Sequence, residues 1–465
     1  MKKKLLSALL SVAMVSALLV GCGSSDTAAP AATDAAAPAD TDAAAPADTE
    51  AAEPDASAST EPFYIYSWNT ELQERLSYVF AKYPEIESRV VYVNVGDSGV
   101  YQEKIDALLA TPDAEEYPDM MATEAAYIMK YTNSDYTLSI EDCGLTEADL
   151  AEMYPYTITI ATDMRDGSIK GTSWQSCPGA YMYRRSLAKE FLGSDDPADV
   201  QEYVKDWDTF LETARMINEK SGGATKILSS NDDIQNVFWS NKATPWVDDN
   251  KTFVMDSNLE TMMDVYYALE QEDLSCKTQC WSEEWSAGPS TDNVFSYFGC
   301  TWFLHWTIKA NCGGEAVGEG TYGDWAMCEG PMPYYWGGTW LCAMQNCSDP
   351  ALAGQIMKAL CCDTELMTQM AEETLDYVNN KTAMKTLSDA GKGAYEFLGG
   401  QDFIAMFSPL AENIDVSWMS AYDQKVNELF VGQCSEYAQG NKDKETAIAD
   451  FKTAVADMYP DITVE

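Results

Sequence analysis

FYIYSWNTELQERLSYVFAKYPEIESRVVYVNV, residues 63–95, alternates short apolar runs with one amphipathic stretch. Phe63-Tyr64-Ile65-Tyr66 has the aromatic and β-branched content of a strand. Glu71 to Tyr83 sets Leu72, Leu76, Val79 and Phe80 on one helical face, and Pro84 follows it. Val90 to Val95 reads as a second strand, Tyr101 to Leu109 as a second helix. Tyr117-Pro118-Asp119-Met120-Met121 is a turn entering a third strand. Strand–helix–strand–helix–strand predicts an α/β fold with a mainly parallel sheet covered by helices. Asp208 to Glu219, Leu259 to Leu269 and Asp349 to Leu360 are further amphipathic helices, the last opened by an Asp-Pro start signal.

Working outward to the N-terminus, Lys2, Lys3 and Lys4 precede an apolar core from Leu5 to Val20, a signal-peptide pattern too short for a spanning helix. The core ends in Leu19-Val20-Gly21-Cys22, which resembles a bacterial lipobox. In that pattern residues 1–21 are cleaved and Cys22 is lipidated, which anchors the chain to the outer face of the cell membrane. Residues 22–61 are nearly all Ala, Pro, Asp, Thr, Glu and Ser, with TDAAAPAD at 33–40 and again at 41–48. Such a segment has too little apolar surface to order itself and is expected to be an extended tether spanning roughly 35 Å. From Pro62 onward the chain is rich in aromatics and long enough for two lobes with separate cores.

The formal charge of −46 repels nucleic acid and anionic lipid. Thirteen cysteines less Cys22 leave an even number in an exported chain, but their spacing is not that of a stapled mini-scaffold. Cys276-x-x-x-Cys280 is the nearest approach to a zinc motif and nothing completes it, so neither metal nor cofactor is implied. Six arginines, none after Arg215, disfavour capture of carboxylates or phosphates.

A series of motifs then follows in order: Pro118-Asp119-Met120-Met121; Asp166-Gly167 with Gly171; Ala180-Tyr181-Met182-Tyr183-Arg184; Asp206-Trp207-Asp208-Thr209-Phe210; Gly299-Cys300-Thr301-Trp302; and Gly337-Gly338-Thr339-Trp340-Leu341. Behind a lipobox and tether, this series resembles the family 1 extracellular solute-binding proteins, the sugar-binding lipoproteins of bacterial ABC importers. Arg184 stands where the family more often has Asn, and Asp206 where it has Thr.

The resemblance implies a two-lobed periplasmic-binding-protein-like fold of type II, with the ligand cleft between lobes. Three crossovers are expected, near Ser173 to Pro178, Cys328 to Trp336 and Tyr377 to Lys381. One lobe would take 62–172 plus 337–378, the other 177–330 plus 382–465. The implied protein is a monomer that closes over a carbohydrate, with an oligosaccharide expected, and delivers it to a membrane permease with cytoplasmic ATPases.

A sugar presents hydroxyls and C–H faces, so its site should combine indoles with acidic and amide side chains. Trp68-Asn69 ends the first strand, where α/β sheets place ligands. Glu124 follows the third. Trp174-Gln175 lies on the first crossover, Trp336-Gly337-Gly338 ends the second, and Asn380 sits on the third. Trp246 and Trp302 fall in loops. These eleven residues are the candidate contacts, while Trp207 and Trp340 are assigned to packing. A binding protein for another solute such as a peptide, a surface glycoside hydrolase and an adhesin are the alternatives. The one histidine, His305, lies in an apolar run and reads as a packed residue, which leaves no Ser–His or Cys–His nucleophile.

Overall fold

The computed structural model describes residues 60–464 except 97 and 249. Cys22, the cleaved segment 1–21 and the tether as far as residue 59 lie outside the described residues. The described strands form a five-, a three- and a two-stranded sheet. The first sheet has the order β2-β1-β3-β8-β4, with β1 Phe63–Ser67, β2 Val90–Asn94, β3 Met120–Glu124, β4 Thr172–Ser173 and β8 Thr339–Ala343. The second is β6-β5-β7, with β5 Gly179–Arg184, β6 Ser296–Cys300 and β7 Trp325–Cys328.

β1 runs parallel to β2 and β3, as expected for the opening stretch. β8 does not follow that expectation: it is antiparallel to β3 and to β4, and β4 keeps the direction of β1–β3. The second sheet is antiparallel throughout. The cause is topological. β8 returns to the first sheet from the second and enters at the opposite end from strands fed by their own crossover helix.

Helix α1 (Glu71–Lys82) buries Leu72, Leu76 and Val79. It also buries Arg75, which the apolar spacing did not announce. Asp119 of the Pro-Asp motif is buried, and its carboxylate accepts from Tyr64 N at 2.7 Å and Ser348 N at 2.6 Å. It thereby ties the entrance of β3 to β1 and to the turn after β8. Arg184, buried, reaches Asp324 at 2.9 Å and Asp292 at 3.1 Å, closing the end of the second sheet.

Along β5, alternate side chains divide between two apolar cores. Tyr181 and Tyr183 point into one core, while Ala180 and Met182 join the core that is continuous with the first sheet. Trp207 stacks on Phe238 at 4.4 Å, and the buried Trp340 donates to Thr157 O at 2.9 Å, so both are packed as expected.

Two segments join the sheets, and a third, between helices Thr364–Thr374 and Lys381–Asp389, lies edge to edge with them. Ser176 N donates to Tyr377 O at 3.0 Å and Asn379 N to Trp174 O at 2.9 Å. On the other edge Trp336 N donates to Cys177 O at 3.1 Å and Gly179 N to Tyr334 O at 2.7 Å. Gly179 is required there, since a Cβ would fall 2.1 Å from the Tyr334 ring. Among the described residues no helix is long and apolar enough to cross a membrane.

Candidate functional site

A cavity of about 850 Å³ opens beside these crossing segments. Its size is that of a small-molecule site. One wall comes from the first sheet: Trp68 to Glu71 just beyond β1, and Glu124 to Tyr127 at the end of β3. These are the carboxyl ends of parallel strands, where a crevice forms in open α/β sheets. Asn69 turns the chain into α1, its Oδ1 accepting from Glu71 N at 3.0 Å.

The rest of the lining is rich in tryptophan, with Trp239, Trp281, Trp302, Trp306, Trp336 and Trp418. Trp281 and Trp302 lie nearly parallel, 17° apart with centroids 6.2 Å apart. Trp336 meets Trp302 edge-on at 5.2 Å, and Trp302 Nε1 donates to Trp336 O at 3.0 Å. Trp306 is 62% exposed and Trp281 56%, although both are large apolar rings. Trp281 also holds φ at +69°, in the left-handed region disfavoured for a bulky side chain. Packing on Trp285, at 4.9 Å, holds it there. A π-helical turn, Leu304–Lys309, follows Trp302 and carries Trp306. Its wider winding brings residues four apart towards one face, and such turns recur at functional sites.

The floor is Gln175, Gly337, Gly338 and Thr339. Gly337 and Gly338 have φ of +70° and +111°. A Cβ on Gly337 would stand 3.1 Å from Trp302 Nε1 and 3.4 Å from Glu124 Oε1. The glycine pair therefore lets the two walls approach each other.

The charges on the site are mostly acidic. Glu124 is half-buried, and the Ala126 amide donates to its Oε2 at 2.7 Å. Burial pushes its carboxyl up to about 7. Glu71 is also pushed up to about 7, first by burial and then by Asp376. Gln175 Nε2 donates to Glu71 at 2.9 Å, while buried Arg75 binds Asp376 at 2.7 Å and lies 3.9 Å from Glu71. Asp423 is paired with Lys242 at 2.7 Å, and Lys242 sits 4.6 Å over Trp418. The one lysine on the lining, Lys130, is held by both oxygens of Asp106.

Trp68, Asn69, Glu124, Gln175, Trp302, Trp336, Gly337 and Gly338 thus come together on one cavity. The structure places the other three expected contacts elsewhere. Trp174 is fully buried in the first crossover. Trp246 is fully buried in the second core against Phe253 and Phe451, its indole donating to Asn427 at 2.7 Å. Asn380 is buried as the cap of helix Lys381–Asp389, its Oδ1 accepting from Ala383 N at 2.8 Å. Asn380 through Ala383 and Trp246 through Asn427 each have a structural partner that loop position alone does not reveal.

Sequence reasoning missed Trp239, Trp281, Trp306 and Trp418. Trp306, four residues after Trp302 in the same aromatic run, offered the one usable signal. His305 packs on Tyr395 and Phe403 away from the lining, with burial lowering its pKa to about 4.

The family model of the bacterial extracellular solute-binding proteins matches residues 86–394. No curated protein matches the chain. Among solved structures, an extracellular solute-binding protein of family 1 is 18% identical, with a TM-score of 0.71 over 84% of this chain and 98% of that one. An ABC transporter associated binding protein from B. animalis subsp. lactis, in complex with beta-1,6-galactobiose, is 17% identical, with a TM-score of 0.64 over 86% of this chain and 98% of that one. The galacto-N-biose-/lacto-N-biose I-binding protein of Bifidobacterium longum is 14% identical, with a TM-score of 0.64 over 87% and 98%. The likeness shows the fold, a two-lobed periplasmic-binding-protein-like α/β architecture.

Proposed function

The chain belongs to the bacterial extracellular solute-binding proteins, and we propose that it captures a saccharide in the tryptophan-walled cavity and delivers it to the permease of an ABC importer. The observation that carries this reading is the meeting of indole rings with carboxylate and amide groups on the lining of one cavity. Sugar C–H faces stack on the former and hydroxyls bond the latter. That two relatives of the same fold are described with galactobiose and lacto-N-biose supports the ligand class. The cavity of about 850 Å³ suits a short oligosaccharide.

The protein binds and releases without chemistry. One lobe comprises 62–172 and 337–378, the other 177–330 and 382–465, and closure about the three crossing segments buries the ligand. Trp68, Asn69, Glu124, Gln175, Trp302, Trp336, Gly337 and Gly338 form the contact surface, joined by Trp281, Trp306 and Trp418. The protein acts as a monomer, held at the extracytoplasmic face of the membrane by lipid on Cys22. Loss of incorporated fatty acid in Cys22→Ala, with the chain released to the medium, is the expected result for the anchor.

A thermal-shift screen of the purified protein against mono- and oligosaccharides, with peptides and amino acids as controls, tests the ligand class. A bound sugar at 100 times its Kd adds about 2.7 kcal/mol of stability. Response to peptides alone replaces the ligand, recovery of a shortened sugar makes the protein a hydrolase, and silence throughout favours an adhesin.

A further inference from the structure

Resting on the saccharide reading, we infer that the cavity selects a saccharide carrying a protonated amine, whose ammonium group lies against Glu124 beside the indoles of Trp302 and Trp336. Each other charge near the site has its counterpart in the protein. Asp423 has Lys242, Lys130 has Asp106, and Glu71 has Gln175 and the Arg75 guanidinium behind it. Glu74 is mostly exposed to water. Glu124 is different. Backbone amides of Ala125 and Ala126 are the donors that stabilise its charge, and no cationic side chain among the described residues acts on it. A half-buried carboxylate without a countercharge is poorly stabilised. A ligand hydroxyl supplies one hydrogen bond there, whereas an ammonium supplies the bond and the missing charge.

The surroundings favour the same cation. Trp302 Nε1 and Glu124 Oε1 both flank Gly337, 3.1 and 3.4 Å from where its Cβ would stand, and the Trp302 N–H is already committed to Trp336 O. The Trp302 ring and that of Trp336 offer π faces, which suit a cation. The raised carboxyl adds a signature: near neutral pH the empty site retains part of a proton on Glu124, and an arriving ammonium expels it.

Calorimetric titration of the purified protein tests this. Glucose, galactose and a β-1,4-linked glucose disaccharide would each be compared with their 2-amino and 2-acetamido forms, at pH 7 in two buffers of different ionisation enthalpy. On the skeletons that bind, the amino form is expected to bind about tenfold tighter than the hydroxyl form and to release protons. In Glu124→Gln the amino-to-hydroxyl ratio falls to about one, while Glu124→Asp keeps a preference. A thermal melt of each variant verifies folding. Equal or tighter binding of the hydroxyl forms, or a ratio unmoved in Glu124→Gln, overturns the inference and leaves saccharide capture standing. Absence of binding by every saccharide, with binding of another solute class, overturns saccharide capture itself.

Discussion

The two walls of the cavity are built on opposite physical plans. The wall beyond β1 and β3 carries the acidic and amide groups beside Trp68, and these are fixed by short hydrogen bonds: Asn69 to Glu71, Glu124 to Ala126, and Glu71 to Gln175 of the floor. The facing wall is aromatic, and its rings are fixed by one another, Trp281 on Trp302 and Trp302 on Trp336. A polar wall needs directional partners, so one lost partner strands a buried charge. An aromatic wall needs only area, so one lost ring leaves the rest in place. The first should therefore be fragile in stability, and the second graded in affinity.

The sharpest way to break this contrast is Arg75→Met. It removes the guanidinium between Glu71 and Asp376, and stability should fall by about 3–5 kcal/mol in denaturant titration, because buried Asp376 and half-buried Glu71 lose their countercharge. A loss under about 1 kcal/mol would show that the polar wall stands without its ion pair. Next comes Trp336→Ala, expected to weaken ligand binding by about 1–3 kcal/mol with the fold intact. Unchanged affinity would remove that ring from the binding surface. Trp306→Ala should be milder, about 0.5–1.5 kcal/mol in affinity with little change in melting temperature, since the ring is 62% exposed. A large loss of stability there would make Trp306 a packing residue.

The smallest effect is that of pH. Glu71 and Glu124 are both raised from 4.5 to about 7, so between those values the folded chain binds more protons than the unfolded one. Stability from these groups is thus greatest at low pH and falls as pH rises through 7. Melting temperature at pH 5.5 should exceed that at pH 8 by roughly a few degrees. Glu71→Gln should reduce the difference, and a flat profile would mean that the polar wall stays charged throughout.

Much of this architecture was legible before the structure. The opening strands and α1 follow from spacing because both depend on local periodicity, and the motif at Asp119 follows because it sits at a strand entrance. The direction of β8 was not legible, since it depends on where the chain has been rather than on the residues of the strand. Glu124 and Trp68 were readable as ends of strands. Trp281 and Trp418 were not, because no periodic element carries them to the cavity. Trp174 and Trp246 were misplaced for a related reason: a ring in a loop looks alike in sequence whether it faces a cavity or the back of one.

The three crossing segments carry a mechanical consequence. Bonded edge to edge through Ser176–Tyr377 and Cys177–Trp336, they form a short ribbon rather than three separate strings. A ribbon flexes readily across its thin dimension and resists shear within its own plane. The jaws on either side should therefore swing about a single axis, with little sideways slip. On the proposed reading, each stroke would return the same indole beside the same carboxylate, and the selectivity of the closed state would be set by the hardware of the joint as well as by the groups that touch the cargo.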